Sequence, residues 1–314
     1  MIKIQNEHLD KLAQNHYEAI ENYFTNRKVK YSIENINSWI KNCFGKEWDF
    51  KKLVLAKPYQ LEALSKTFKF KCCHDFSAFH GYYNYLNKYS EMTYYNMIDD
   101  EKRAYTAYQL IEDLKVFICP YCNRNSIYNI KSSKKRTSEL DHYYPQSKYP
   151  FFALSFYNLV PSCKVCNKIK LDNDDKEYIN PYDNRFDMNK NMKFSVKVTS
   201  SSFYHSEKGF EIEYKYNKQI SNNEKSRIEN NLDDFELKDL YQNHKDIVLE
   251  LIQKEAIYNE SYIDELLTQY EGTLFKNKED LLRLVTCGYV SDEDINKRPL
   301  SKLIKDISQE LDII

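Results

Sequence analysis

Apolar residues recur at helical spacing along the first part of the chain. Two sets have the three-to-four spacing of a buried helix face, namely Leu9, Leu12, Ala13, His16 and Ile20, and then Ile33, Ile36, Ile40 and Phe44. Ser32 and Asp75 are residue types that favour helix N-caps, and a further helix is predicted from about Ile98 to Leu114. Residues 1–114 are therefore predicted to form a helical region.

In the second half of the chain the spacing of apolar residues changes twice, first to the alternation of strands and then back to helical spacing. Residues 193–198 and 210–216 alternate apolar and polar side chains, which predicts two half-exposed strands in a hairpin. Helical patterns return after Asn230, with one long amphipathic face from Leu237 to Leu251 and a final helix near Pro299. The fold class predicted is α+β and mainly helical, with residues 191–314 as a hairpin plus helices and residues 115–190 as a compact motif region between them.

Composition and charge exclude some functions. The chain has 5 Gly beside 28 Tyr and no Gly-rich phosphate-binding fingerprint. The formal net charge of −1 argues against a nucleic-acid protein, yet the segment from Lys115 to Arg136 holds six basic residues and no acidic one. This basic strip is either a phosphate-contacting surface or a solvated loop, and its position beside the motif region favours the first.

The cysteines carry the clearest pattern in the chain. Four of the eight form two Cys-x-x-Cys pairs, Cys119 with Cys122 and Cys163 with Cys166, which suits a tetrahedral structural zinc site. A redox role for one pair is the alternative, and it would not need the second pair. Metal-bound thiolates, together with an N-terminus that has no apolar signal core and the lack of a membrane span, predict a cytoplasmic protein.

The 40 residues between Cys122 and Cys163 hold a second set of candidate groups. The pattern predicts a strand over Thr137–Tyr143, a short strand over Asn158–Pro161 and a helix over Lys164–Leu171. Asp141 offers a hard oxygen ligand and the adjacent His142 a titratable base. The helix can bring Asn167 next to Asp141 around one hard divalent ion, Mg²⁺ or Mn²⁺.

These residues resemble a known family. The strings Glu139-Leu-Asp-His-Tyr-Tyr-Pro145, Asn158-Leu159 and Cys163-x-x-Cys-Asn167-x-x-Lys170 are similar to the HNH endonucleases of the ββα-metal superfamily, in the version with four zinc cysteines. The run 141–147 also resembles the HNH domain of RNA-guided CRISPR effectors. The string 149–161 resembles HNH proteins of bacterial anti-phage loci, including the nuclease partner of Septu-type systems.

The resemblance implies a role for each matching residue. His142 would be the general base, Asp141 and Asn167 would hold the catalytic ion, and Asn158 would brace the loop and orient the His142 ring. Lys170, with Lys168 and Arg124 as further basic residues, would neutralise phosphate charge. The implied reaction is cleavage of DNA, with RNA less favoured, leaving 5′-phosphate and 3′-hydroxyl ends. An SMC-like or AAA-type ATPase would be the partner protein.

Two other interpretations stay open at this level. In the first, Asp141 and His142 are an ordinary surface pair inside a zinc-ribbon module that binds nucleic acid or protein without catalysis. In the second, the chain is the effector of a complex and is inert alone, which fits its lack of a sequence-specific DNA-binding motif.

Overall fold

The computed structural model describes residues 1–26, 33–71, 75–79, 92–96, 101–170, 172 and 175–314. The helices are α1 Leu9–Asn26, α2 Ile33–Phe44, α3 Phe50–Leu55, α4 Pro58–Lys71, α5 Ala107–Leu114, α6 Lys164–Lys170, α7 Met188–Asn191, α8 Asn222–Asp234, α9 Leu237–Gln242, α10 Lys245–Ile257, α11 Glu260–Tyr270, α12 Lys278–Thr286 and α13 Ser301–Glu310. The strands are β1 Met92–Asn96, β2 Glu101–Tyr105, β3 Asn129–Ile130, β4 Lys135–Arg136, β5 Glu139–His142, β6 Leu159–Ser162, β7 Met192–Val198 and β8 Phe210–Tyr216.

These strands form four separate antiparallel pairs, β1–β2, β3–β4, β5–β6 and β7–β8. Each pair is a local hairpin or a short return of the chain, and helices surround them. Among the described residues the architecture is thus α+β and mainly helical, as the sequence pattern predicts. The helices α1 and α2 and the hairpin β7–β8 coincide with the elements predicted from their periodicity.

Two predicted helices are wrong in their extent. Within the range 98–114, residues 101–105 form β2, and only α5 is helical, because Met92 to Asn96 pair in register with Tyr105 to Glu101. The Thr106 side chain then caps α5 by accepting from the Gln109 N–H. Ser32 and residues 98–100 lie outside the described residues.

The long helix predicted through Leu251 is in fact two helices. The helix α9 ends at Gln242, Asn243 caps it, and α10 starts only after His244. The last helix, α13, begins at Ser301, close to the start predicted near Pro299, and Leu300 before it adopts a left-handed backbone conformation.

Buried apolar side chains form one connected cluster that runs from Met1 to Ile313. Members of this cluster come from all three predicted regions, 1–114, 115–190 and 191–314; the boundaries themselves stay a prediction. Within the described residues, no helix combines the length and apolar character needed to cross a membrane.

Two buried polar residues tie the outer regions to the motif region. His16 on α1 is bonded through Nδ1 to the Tyr105 hydroxyl at 2.7 Å and through Nε2 to the Leu154 carbonyl at 2.8 Å. Asn123, directly after the first cysteine pair, accepts from the backbone N–H groups of Leu300 and Lys302 and donates to the Ile295 carbonyl. These contacts fix the motif region between the N-terminal helices and the C-terminal segment.

Candidate metal centre and the adjoining strand–helix unit

The two cysteine pairs meet in the fold. The sulfur atoms of Cys119, Cys122, Cys163 and Cys166 all lie within 4.8 Å of one another, and all four residues are buried. A tetrahedral site with Zn–S bonds of about 2.3 Å has sulfur atoms roughly 3.8 Å apart. The Cys122 and Cys163 sulfurs are 4.0 Å apart, so the four thiols fit zinc.

Nearby N–H groups point at these sulfur atoms. The backbone N–H of Arg124 donates to Cys122 Sγ at 3.4 Å, and that of Cys166 donates to Cys163 Sγ at 3.4 Å. The side-chain amide of Asn125 donates to the same Cys163 sulfur at 3.2 Å. Hydrogen bonds from the other three thiols lower the pKa of Cys163, whereas burial raises the pKa of Cys119 and hydrogen bonds from the neighbouring thiols raise that of Cys166. The N–H donors around Cys122 and Cys163 favour the thiolate at these two residues, and the thiolate is the form in which cysteine binds metal.

A strand–strand–helix unit lies between and after the cysteine pairs. The strands β5 and β6 are antiparallel, with Asp141 opposite Val160 and His142 opposite Leu159. The helix α6 follows β6 at once and packs against β5. Cys163 links the end of β6 to the start of α6, so the four-cysteine cluster lies where the chain turns from strand to helix. The order of these elements agrees with the sequence prediction.

The Asp141 carboxylate is buried and fully engaged. Its Oδ2 accepts a 2.6 Å hydrogen bond from the hydroxyl of Tyr121. The ammonium group of Lys170 lies 3.1 Å from Oδ1 and 3.0 Å from Oδ2, and it also donates to the His142 carbonyl at 2.7 Å. The aspartate therefore lies where a cation is already favoured, and Lys170 supplies that cation in this structure.

His142 is held by the backbone of the loop between β5 and β6. Its Nε2 lies 3.1 Å from the carbonyl oxygen of Ala153. Because a carbonyl only accepts, Nε2 carries the proton, and Nδ1 keeps its lone pair in the neutral ring. Burial lowers the pKa of His142, against the opposing effects of Asp141 and the Ala153 carbonyl. A neutral imidazole with one free basic nitrogen is suited to accept a proton.

Asn158 braces the loop that follows His142. Its Oδ1 accepts from the Tyr144 N–H at 2.7 Å, and its Nδ2 donates to the carbonyls of Phe152 at 3.0 Å and Tyr144 at 3.2 Å. Both sides of the loop are thus tied to one fully buried side chain. Asn158 does not contact the His142 ring in these hydrogen bonds. The ring is held by the carbonyl of Ala153, which follows Phe152 in the loop.

Asn167 and Lys170 lie one turn apart on α6. Residues three apart on a helix are neighbours on its surface, so Asn167 is near the point where Lys170 reaches Asp141. The Asn167 backbone N–H donates to the Cys163 carbonyl, and its half-buried carboxamide makes no hydrogen bond to another described residue. The two remaining basic candidates differ: Lys168 is exposed, whereas Arg124 donates through Nε to His244 Nε2 at 3.0 Å.

Sequence reasoning missed three groups in this site. Tyr121 is a middle residue of the first cysteine pair, and its place inside that motif was the available signal. Asn125 follows that pair closely, which is a weaker signal of the same kind. The Ala153 carbonyl has no signal in the sequence, because a backbone acceptor does not depend on residue identity.

Comparisons of this chain with protein-family models, with curated proteins and with solved structures found no match.

Proposed function

We propose that the chain is a metal-dependent endonuclease of the HNH type that hydrolyses phosphodiester bonds of DNA. One observation carries the proposal: β5, β6 and α6 form a ββα unit joined to a buried four-cysteine cluster, with Asp141 and His142 on the first strand and Asn167 on the helix. A zinc-ribbon fold alone does not require an aspartate–histidine pair on such a unit.

In this proposal His142 is the general base. Its Nε2 proton is held by the Ala153 carbonyl, which leaves Nδ1 to take a proton from the attacking water. Asn158 keeps the loop that carries Ala153 in place through its three backbone hydrogen bonds. Tyr121 keeps the Asp141 carboxylate oriented.

Asp141 and Asn167 are the residues that would hold the catalytic ion. Carboxylate and amide oxygens are ligands that Mg²⁺ or Mn²⁺ accepts, and such ions keep several waters when proteins supply few ligands. When bound, the ion would stabilise charge on the scissile phosphate and the leaving oxygen. The fit has one condition: Lys170, now bonded to both Asp141 oxygens, has to move from at least one of them.

The substrate and setting proposed follow the resemblance to HNH proteins of anti-phage loci. DNA is the preferred substrate, RNA is the second choice, and an ATPase would be the partner that triggers cleavage in a defence complex. The exposed basic segment near the site supports a polyanionic substrate.

The decisive experiment uses the wild-type chain and His142→Ala with plasmid DNA and with RNA in Mg²⁺ or Mn²⁺. We expect cleavage by the wild type and a loss of about 100-fold to 10,000-fold in the variant. Absence of cutting by the wild type, even with proteins encoded beside it in its genome, would refute the proposal. Equal cutting by both proteins would remove His142 from the mechanism.

A non-catalytic binding module is the second candidate function. The buried Asp141–Lys170 pair favours it, because a carboxylate neutralised by lysine also occurs as a structural ion pair. A binding module predicts that His142→Ala binds nucleic acid as the wild type does and that neither protein cleaves it.

A further inference from the structure

Between the first cysteine pair and β5, the chain forms a short exposed hairpin. The strand β3 pairs with β4, and Lys134 at the turn between them has a left-handed backbone. The side chain of Asn129 donates to the Tyr108 carbonyl, and the hairpin packs on α5. We call residues 128–136 the basic hairpin.

No residue in the described part of the chain neutralises the charges of the basic hairpin. Lys131, Lys134, Lys135 and Arg136 are exposed, and none of them forms an ion pair with another residue that the structure describes. The acidic residues nearest in sequence are Asp113 and Glu139, at either side of a segment without any. A concentrated positive charge of this kind favours a polyanion.

Aromatic rings stand exposed beside these charges. Tyr128 is 49 % exposed and Phe117 is 39 % exposed, and their ring centroids are 6.4 Å apart. Ile130 adds apolar surface on the hairpin itself. Exposed rings next to a basic track are the features with which proteins bind unpaired strands, because every base has a face that can stack on a ring. Paired bases present mainly their edges in the grooves, which gives these rings no face to stack on.

The basic hairpin is close to the proposed active site. Arg136 precedes Asp141 by five residues, so an extended chain separates them by at most about 17 Å. This is roughly half of the ~34 Å turn of a DNA duplex. One strand can therefore contact both places.

We propose that the basic hairpin and Phe117 form the surface that binds an unpaired stretch of the DNA substrate. This inference rests on the proposed nuclease function and adds that the bound part of the DNA is single-stranded. Tyr128 and Phe117 stack on bases, while Lys134, Lys135 and Arg136 contact phosphates.

The test measures binding separately from cleavage. The His142→Ala chain, without added divalent ion, is titrated into a fluorescein-labelled single-stranded DNA of about 20 nucleotides and into the same sequence as a duplex. We expect tighter binding of the single strand. Adding Tyr128→Ala and Phe117→Ala should weaken that binding by about 5-fold to 150-fold per stacked base. Duplex binding should change little.

A charge arm uses Lys134→Ala, Lys135→Ala and Arg136→Ala together. The slope of log affinity against log salt concentration should fall by about 2 for three lost phosphate contacts on a single strand. Matched controls are Tyr204→Ala, which removes a ring that is 51 % exposed, and a triple change of the exposed Lys197, Lys208 and Lys218. Thermal unfolding of each variant checks that folding is intact.

The outcomes separate this inference from the nuclease proposal. Equal losses in the controls, a preference for the duplex, or unchanged single-strand binding in the aromatic variant would each overturn the inference, even if the wild type cleaves DNA. Single-strand binding that depends on the basic hairpin in a chain that never cleaves would support the surface and refute the nuclease.

Discussion

The hydroxyl of Tyr121 donates a 2.6 Å hydrogen bond to Oδ2 of Asp141, and both side chains are buried. Tyr121 lies between Cys119 and Cys122, and its ring stacks on Phe235 with centroids 4.7 Å apart. The four-cysteine cluster is thus connected by one residue to the carboxylate proposed as catalytic. Under the proposed nuclease function, the position of Tyr121 affects cleavage as well as folding.

Tyr121→Phe should therefore reduce cleavage while zinc stays bound. Loss of a group that orients a metal ligand lowers metal affinity or activity by about 10-fold to 100-fold. A rise in the Mg²⁺ concentration required for half-maximal cleavage is the measurement that distinguishes positioning from general damage.

The matched control for this change is Tyr182→Phe. Tyr182 is also buried, but its hydroxyl donates to the Leu159 carbonyl at 2.9 Å rather than to Asp141. Both variants should lose about 1–3 kcal/mol of stability. Equal effects on the Mg²⁺ requirement would show that Tyr121 has no special role.

Substitutions of Asp141 and Lys170 should have strongly non-additive effects on the free energy of unfolding. Lys170→Met leaves a buried carboxylate without its cation, which should cost about 3–5 kcal/mol of unfolding free energy in urea. Asp141→Asn combined with Lys170→Met should cost less than the sum of the single changes. Lys238→Met, which breaks exposed pairs with Glu229 and Asp233, serves as the control and should cost at most about 1 kcal/mol. Strict additivity in the double variant would contradict the pairing.

Zinc removal should unfold the motif region. Structural zinc contributes about 10–16 kcal/mol in small zinc-binding peptides, so chelation or Cys163→Ser should abolish protection of β5, β6 and α6 in hydrogen exchange. Metal analysis should find zinc bound to the wild type, at the four-cysteine cluster found among the described residues. Cys287→Ser changes an exposed thiol outside the cluster and should retain the zinc. Full protection after complete removal of the metal would exclude a structural role.

The buried His16 should make stability fall in mild acid. Burial lowers the pKa of His16 to about 4, while a histidine in an unfolded chain has a pKa of about 6.5. Between these two pKa values the unfolded state binds a proton at His16 and the folded state does not. The contribution of His16 to the free energy of unfolding is therefore complete above about pH 6.5 and is lost as the pH falls towards 4. The loss is about 1.4 kcal/mol per pH unit in that window.

Urea unfolding of the wild type and of His16→Gln between pH 7.5 and pH 5, about the upper part of this window, checks the effect. Other groups, His142 among them, shift both proteins alike, so only the difference in slope reports His16. The variant should be less stable at pH 7.5, and its stability should depend less on pH. Parallel curves for the two proteins would mean that His16 does not carry the effect.

The spacing of apolar residues correctly predicted the elements that bury one face and expose the other. The alternation in β7 and β8 and the helical spacing in α1 and α2 are such cases. The strand β2 was mistaken for helix because its pairing with β1 depends on a partner, and its own residues, Glu-Lys-Arg-Ala-Tyr, carry a weak strand signal. The break between α9 and α10 has only Asn243 as a local cue.

The same distinction applies to the site. The cysteine spacing was sufficient to predict that two distant pairs meet, since metal ligation itself requires it. The bonds of Lys170 to Asp141 and of Tyr121 to Asp141 join residues 29 and 20 positions apart. Such contacts depend on how α6 and the first cysteine pair pack on β5, and the pattern of any single segment does not contain that information.

Asn123 connects the C-terminal helix α13 to the four-cysteine cluster. Its backbone carbonyl and side chain hold the start of α13 directly beside Cys122. A protein truncated before Leu300 would lose these two hydrogen bonds to the residue that follows Cys122, and with them a constraint on the first cysteine pair. Beyond the loss of α13 itself, shortening the chain from its C-terminal side should therefore first be recognised as zinc loss and oxidation of cysteine, before the helix content of the remaining residues changes.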